Sequence, residues 1–346
     1  MDSVSDKIGT SADTADDATV FGRIMLAIDS MNQNASSQAD RIISAVKAAI
    51  NASAAEAAGF GDGSYGELST GRVIPVSSQS SQVILKTTSC YIPAGETLTV
   101  DKPCAGLVIY SQGDIVIDGT IDMTNKGYYS TSPASSITVN GVSVTLARCG
   151  NGGASAGGKG GKQGGYAGSG GSTPASAYNH TCGGQGAAQA AGGGCGNTTT
   201  SGSAPCTGNS YPAPSVMTDG AGAIILIAYG KIIINGRIIS TGKSNTSVRA
   251  KSGGNAQAYY DEMGNFYGAG GWGGDGGTGG CGGGAVTLIY GGGLIKNGTI
   301  TLNGGSGGGT GGSGSNATME GYTYYGGTGG SGANGSSGDI VERKAM

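Results

Sequence analysis

Seventy-four of the 346 residues are glycine, against three Phe and one Trp, so a conventional aromatic and aliphatic core is excluded over most of the chain. Glycine loses more backbone entropy on folding than any other residue, and a glycine-dominated stretch orders only where backbone hydrogen bonds between segments offset that loss. Two outcomes are open, a flexible tether or a special backbone lattice. With eight prolines and no sustained Gly-X-Y register a collagen triple helix is excluded, whereas bundled polyglycine II helices are not.

Charged residues are 12 % of the chain and the formal net charge is −3, which leaves neither a nucleic-acid footprint nor a polybasic membrane patch. The start, Met1 to Lys7, is polar and acidic and lacks the basic and apolar regions of a secretory signal. The longest apolar run, 223–229, is strand-sized and far too short to span a bilayer. The cysteines, Cys90, Cys104, Cys149, Cys182, Cys195, Cys206 and Cys281, are odd in number and include no CxxC pair, so at least one thiol is free or intermolecular.

Thr14 to Ala58 reads as a helix, with Thr14 and Asp17 as a capping box and Gly59 available to close the C-terminus. Phe21, Ile28, Ala35, Ile42 and Ala49 recur at seven-residue steps, interleaved with Ile24, Met31, Gln38, Ala45 and Ala52, which is a coiled-coil pattern. Phe21, Ile24, Ile28, Met31, Ile42 and Val46 are the expected oligomerisation residues. The polar stretch Asn32 to Gln38 weakens the seam, as a hinge or as a polar layer that fixes register. One amphipathic helix docked on a neighbour is the alternative, and both readings need a partner surface.

From Val73 to Ala147 short β-branched segments alternate with turn signals such as Asn140-Gly141. Beyond Cys149 glycine dominates, but apolar islands return in a pattern. Leu107-Val108-Ile109-Tyr110 leads to Asp114-Ile115-Val116-Ile117-Asp118-Gly119-Thr120-Ile121, and Leu226-Ile227-Ala228-Tyr229 to Lys231-Ile232-Ile233-Ile234-Asn235-Gly236-Arg237-Ile238. Leu288-Ile289-Tyr290 and Leu294-Ile295-Lys296-Asn297-Gly298-Thr299-Ile300 make a third copy. Each copy reads as strand, tight turn, strand, Asp/Asn-Gly corner and short strand. The expected fold is therefore mainly β with polyglycine II helices: a helical coiled-coil segment over 1–58, a β region over 59–148, and a glycine-rich, solenoid-like strand-repeat domain over 149–346.

Motifs for chemistry are weak. GxGxxG matches arise by chance in so glycine-rich a chain, and none follows a strand and opens a long helix. Gly270 to Thr278 has no tandem copy and no large apolar residue at the position a calcium-binding nonapeptide needs. His180, Cys182, Cys195 and Cys206 are spaced poorly for a known zinc fold, so a disulfide or packed free thiols are the plainer reading, and neither metal nor cofactor is expected. The only histidine has no Ser or Cys elbow beside it, which argues against a nucleophilic triad. Asp114, Asp118 and Asp122, with Asp261 and Glu262, keep a polysaccharide depolymerase as a third reading, although Asn235 and Asn297 stand where the first repeat has Asp118. No catalytic residue is expected.

The excursions carry clustered aromatic residues flanked by polar ones: Tyr178, Tyr211, Tyr259, Tyr260, Phe266, Tyr267, Trp272, Tyr322, Tyr324 and Tyr325. Rigid amphipathic rings mixed with Ser, Gly and Asn are the chemistry of a binding loop, and these residues together with His180 are the receptor-binding candidates. The same rings could instead shield the edges of a glycine lattice.

The tracts 270–284 and 326–330, within 149–339, resemble in architecture the tail-fibre tip adhesins of T-even-like bacteriophages. The opening residues 8–14 and 20–24 also look like helical segments of tail and baseplate-associated phage proteins. The resemblance implies a glycine-rich fold whose variable segments attach a virion to a bacterial surface protein or polysaccharide. It also implies assembly in the host cytoplasm, which suits the missing signal. The helix and strand repeats add the expectation of a homo-oligomer, a trimer above all, joined to other tail or fibre proteins through the helix. A purely structural filament subunit, its aromatic loops serving as contacts between subunits, is the alternative.

Overall fold

The computed structural model describes residues 20–128, 136–150, 155–156, 172–173, 220–244, 257–260, 266–270, 280–308, 317–319, 322–324 and 331–345. The chain divides into two compact units, Met1–Ala54 and Ala55–Met346. Helix α1 (Val20–Ala57) runs 38 residues without a break at Asn32–Gln38. Beyond Gly22 it holds neither Gly nor Pro, and its second half is rich in Ala, the best helix former. Gly59, at φ +81°, closes it in the left-handed conformation. Its N–H donates to Glu56 O at 2.9 Å while Phe60 N–H donates to Ala55 O at 2.9 Å, the paired closure of a glycine-terminated helix.

The second unit opens with β1 (Gly66–Leu68), β2 (Val73–Ile74), β3 (Val83–Ile92) and β4 (Thr97–Val100). A second winding follows in β5 (Leu107–Ser111), β6 (Ile115–Ile117) and β7 (Thr120–Asp122). A hairpin of β8 (Ser136–Val139) and β9 (Val142–Thr145) and a short pair, β10 (Ser155–Ala156) and β11 (Ser172–Thr173), come next. The third winding is β12 (Ala223–Ala228), β13 (Lys231–Ile234) and β14 (Arg237–Ile239), followed by the hairpin β15 (Gln257–Tyr260) and β16 (Phe266–Gly270). The fourth is β17 (Ala285–Tyr290), β18 (Gly293–Lys296) and β19 (Thr299–Thr301), then the hairpin β20 (Ala317–Met319) and β21 (Tyr322–Tyr324), and last β22 (Ile340–Lys344).

Corresponding strands of successive windings pair in parallel. One sheet runs β18-β13-β6-β3-β5-β12-β17-β22, with β1 beside β3, and a five-stranded sheet runs β19-β14-β7-β4-β2. Strand β3 is long enough to serve two ladders, pairing β5 through Val83–Thr87 and β6 through Cys90–Ile92. The windings thereby enclose one aliphatic column. Leu85, Ile109, Leu226 and Leu288 stack in register along it, as do Ile92, Ile117 and Ile234, and Leu98, Ile121 and Ile238. All of these are at most 3 % exposed.

Strand β12 is buried at every residue, because both of its faces are covered, as a continuous apolar run in a parallel sheet requires. Its inner face lines the column. Its outer Ile225 and Ile227, with Val108 and Ile289, pack in a second cluster against Phe60, Val139, Val144 and Leu146 from the helix exit and the β8–β9 hairpin.

The hairpin is clasped at its tip. Asn140, at φ +49°, donates its backbone N–H to Ala58 O at 2.7 Å and its Nδ2 to Ala345 O at 2.9 Å, joining the first and last segments of the unit. Asn140→Ala loses the side-chain bond and puts a residue of poor left-handed tolerance into the turn, so it should cost about 2 kcal/mol in denaturant unfolding. Asn140→Gly relieves the backbone and should recover roughly half of that. Equal stability of both variants and the wild type would show that the clasp is idle.

The expected fold class is overturned. Among the described residues there is one helix, and parallel-strand sheets wrap into a nearly closed, barrel-like body, an α/β arrangement, not a mainly β glycine-rich solenoid behind a coiled coil. The reason lies in the pairing: β12 hydrogen-bonds directly to β5, so the apolar islands before and after Arg148 complete one sheet rather than building a glycine lattice of their own. On α1, Ile24, Ile28, Met31, Ile42 and Val46 are 44–70 % exposed, and no second helix lies among the described residues to form a coiled coil with it.

Candidate functional site

Each of the second, third and fourth windings turns three corners, and the first two are tight. At the first, Gly230 N–H donates to Gly113 O at 3.1 Å and Gly292 N–H to Gly230 O at 2.7 Å, winding upon winding. At the second, Asn235 Nδ2 donates to Asp118 Oδ1 at 2.7 Å and Asn297 Nδ2 to Asn235 Oδ1 at 2.9 Å, a polar ladder that holds the windings in register. Only the third corner, between the last strand of one winding and the first strand of the next, admits long excursions: 128–220, 245–279 and 309–330.

The roots of these excursions are sewn together mainly by backbone hydrogen bonds, with Ser244 Oγ and Asn334 Oδ1 accepting from Ser306 and Gly307 N–H. The first is closed by Gly127 N–H donating to Gly220 O at 2.8 Å, the second by Cys281 N–H to Lys243 O at 3.0 Å, and the third by Gly332 N–H to Gly308 O at 3.0 Å. Bonds also run between them: Gly150 N–H to Gly283 O at 2.8 Å, Gly305 N–H to Cys281 O at 2.7 Å, and Gly280 N–H to Ala333 O at 2.9 Å. At the glycines of these roots there is no room for a side chain: a Cβ on Gly335 would lie 2.0 Å from Cys281 O. Glycine at the roots is therefore a requirement of close approach.

Every receptor-binding candidate falls within these excursions. Tyr178, His180, Tyr211, Trp272 and Tyr325 lie outside the described residues. Tyr259 and Tyr260 are on β15, Phe266 and Tyr267 on β16, and Tyr322 and Tyr324 on β21. In the second excursion Tyr260 pairs with Phe266 and Tyr259 with Gly268 across an antiparallel hairpin, and β16 lies against β20 of the third. The root residues Lys243, Cys281, Gly305 and Gly335, which bring the excursions together, were hidden in sequence because any glycine tract looks alike.

The carboxylates considered for catalysis are occupied by the fold. Asp114 Oδ1 accepts from Lys231 N–H at 2.7 Å, Asp122 Oδ1 accepts from Thr124 N–H at 2.8 Å, and Asp118 anchors the corner ladder. A hydrogen bond to Asp118, with some burial, raises the pKa of the Tyr91 hydroxyl. Asp261 and Glu262 lie outside the described residues, as do His180, Cys182, Cys195 and Cys206. Among the described residues no three His, Cys, Asp or Glu side chains group as a metal site would need. Of the oligomerisation candidates, Phe21 has no described side chain, and the others form the exposed apolar stripe of α1. No described helix is long and apolar enough to cross a membrane.

Cys90, Cys104, Cys149 and Cys281 are buried and not disulfide-bonded. Burial pushes the Cys90 thiol up to about 12 from an ordinary 9.0, and raises that of Cys104. The unfolded chain therefore releases the Cys90 proton near pH 9 while the folded chain keeps it. Stability should fall between pH 9 and 12 by up to about 1.4 kcal/mol per pH unit from this one group. Thermal unfolding followed across that range should show a shallower alkaline slope in Cys90→Ala than in the wild type, and parallel slopes would refute the assignment. Comparison with protein-family models, with curated proteins and with solved structures finds no match.

Proposed function

We propose that this protein is a non-catalytic attachment subunit of bacteriophage tail-fibre type, which binds a bacterial surface protein or polysaccharide through its aromatic excursions. The observation that carries the reading is the common origin of those excursions: they issue from one corner of a parallel body, with roots bonded to each other. Such roots hold loops rich in Tyr, Ser, Gly and Asn side by side at low entropic cost, as a binding face requires. In this reading the virion is the place of action, following assembly in the host cytoplasm. The exposed apolar stripe of α1 joins subunits, as a trimer, or joins other tail proteins. The engagement of Asp114, Asp118 and Asp122 in structural hydrogen bonds favours binding over hydrolysis.

The test uses the fluorescently labelled full chain on a panel of bacterial strains, with Tyr259→Ala/Tyr260→Ala/Tyr267→Ala as comparison. The expected result is saturable, strain-restricted binding that the triple variant loses by about tenfold or more while its circular dichroism is unchanged. Binding to no strain, or equal binding by the variant, removes the reading. Release of oligosaccharide from surface polysaccharide would make the protein a depolymerase, and concentration-dependent filament growth without cell binding would make it a structural subunit.

A further inference from the structure

Among the described residues the two sheets end together at the last winding, where β18, β19 and β22 are the terminal strands. A terminal strand turns a row of unpaired backbone groups outward, and here the aliphatic column behind it also comes to an end. Leu294 and Ile300 pack against the core but are only partly buried, and Ile295 and Ile340 are exposed at the same end. Such a mouth is self-complementary to the same end of a second copy: it has apolar side chains, open edges and strands of matching spacing.

The residues at the mouth break the pattern of the column. Along one ladder the inward register reads Leu85, Ile109, Leu226, Leu288 and then Glu342. Along another it reads Ile92, Ile117, Ile234 and then Lys296. The two charges stand at positions the register assigns to aliphatic residues, they come from different ladders, and they form an ion pair with each other across the mouth. Their side chains are 43 % and 33 % exposed, and a pair so accessible contributes little to stability. What it does change is what can dock: a second copy would have to bury both charges.

We propose that Lys296 and Glu342 form a charged stop that closes the mouth of the aliphatic column and prevents it from joining the same end of a second copy. This assignment is independent of the attachment reading and of any association through α1. Lys296→Ile/Glu342→Leu in the full chain restores the register and should give a weight-average mass in sedimentation about twice that of the wild type at equal concentration. The charge-reversed Lys296→Glu/Glu342→Lys should keep the wild-type mass. Lys296→Gln/Glu342→Gln removes the charges without adding apolar bulk, so it reports even if the first variant does not fold, and it should associate more than the wild type. A folded Ile/Leu variant of wild-type mass, a Gln/Gln variant of wild-type mass, or a charge-reversed variant that associates would each overturn the proposal.

Discussion

Gly236→Ala should unfold the parallel body under conditions in which the wild type is fully folded. A Cβ at this corner would lie 1.9 Å from Gly119 O and 2.5 Å from Asp118 O, both backbone atoms of the winding below. Neither neighbour can give way. Gly236 N–H donates to Ile117 O and Arg237 N–H to Gly119 O, both at 2.8 Å, and the Asp118-Asn235-Asn297 ladder pins the same corner from outside. The overlap must be relieved by separating two windings, so the expected cost is roughly 3 kcal/mol or more, at the upper end of what overpacking produces. Gly95→Ala is the matched control: at φ +83° it meets nothing within 4 Å, so it should show only the left-handed backbone penalty of about 1–2 kcal/mol. Urea unfolding followed by circular dichroism measures both, and a Gly236→Ala protein as stable as Gly95→Ala would mean that the windings are not in close contact at this corner.

Leu226→Ala should be the most damaging single truncation within the column, at about 3–5 kcal/mol. Leu226 is fully buried, stacks in register between Ile109 and Leu288, and sits on a strand buried on both faces, so the surroundings cannot collapse into the space it leaves. Leu294→Ala removes the same atoms from the half-open last winding, where one side of the cavity would already be solvent, and should cost less than half as much. The ratio of the two effects reads out how enclosed the column is. Equal losses would mean that the last winding is as well covered as the third.

The local units were legible in sequence because their chemistry is local. Asp118-Gly119, Asn235-Gly236 and Asn297-Gly298 mark corners because a short polar side chain followed by glycine is what a tight turn beside another chain needs, and the strands on either side are rich in Ile and Val. Helix α1 was equally plain from its Ala-rich, proline-free run and the glycine that ends it. What could not be read was which segments pair. The Asp118 to Asn235 contact spans 117 positions, and nothing in either segment names the other. Glycine abundance points to a lattice, whereas the fold class is set by the aliphatic column, whose inward residues are a minority of the chain. The second cluster was missed for a related reason: Phe60, Val139, Val144 and Leu146 are separated by turns and glycine, and become one surface only once β12 lies beside β5. Lys296 and Glu342 looked like ordinary surface charges until the register showed what their positions line.

The corner ladder crosses 117 residues at its first rung and 62 at its second, yet the rungs are 2.7 and 2.9 Å long. The geometry of the body is thus indifferent to how much chain is stored between windings. Closure entropy is nearly indifferent too, since doubling a flexible loop costs only about 0.6 kcal/mol. Length and content of an excursion can therefore be rewritten by insertion, deletion or exchange without the scaffold registering the change, provided the glycine roots are kept. A lineage carrying such a chain could swap whole loops by recombination at the roots and alter what it recognises in a single step, while inheriting an unaltered platform.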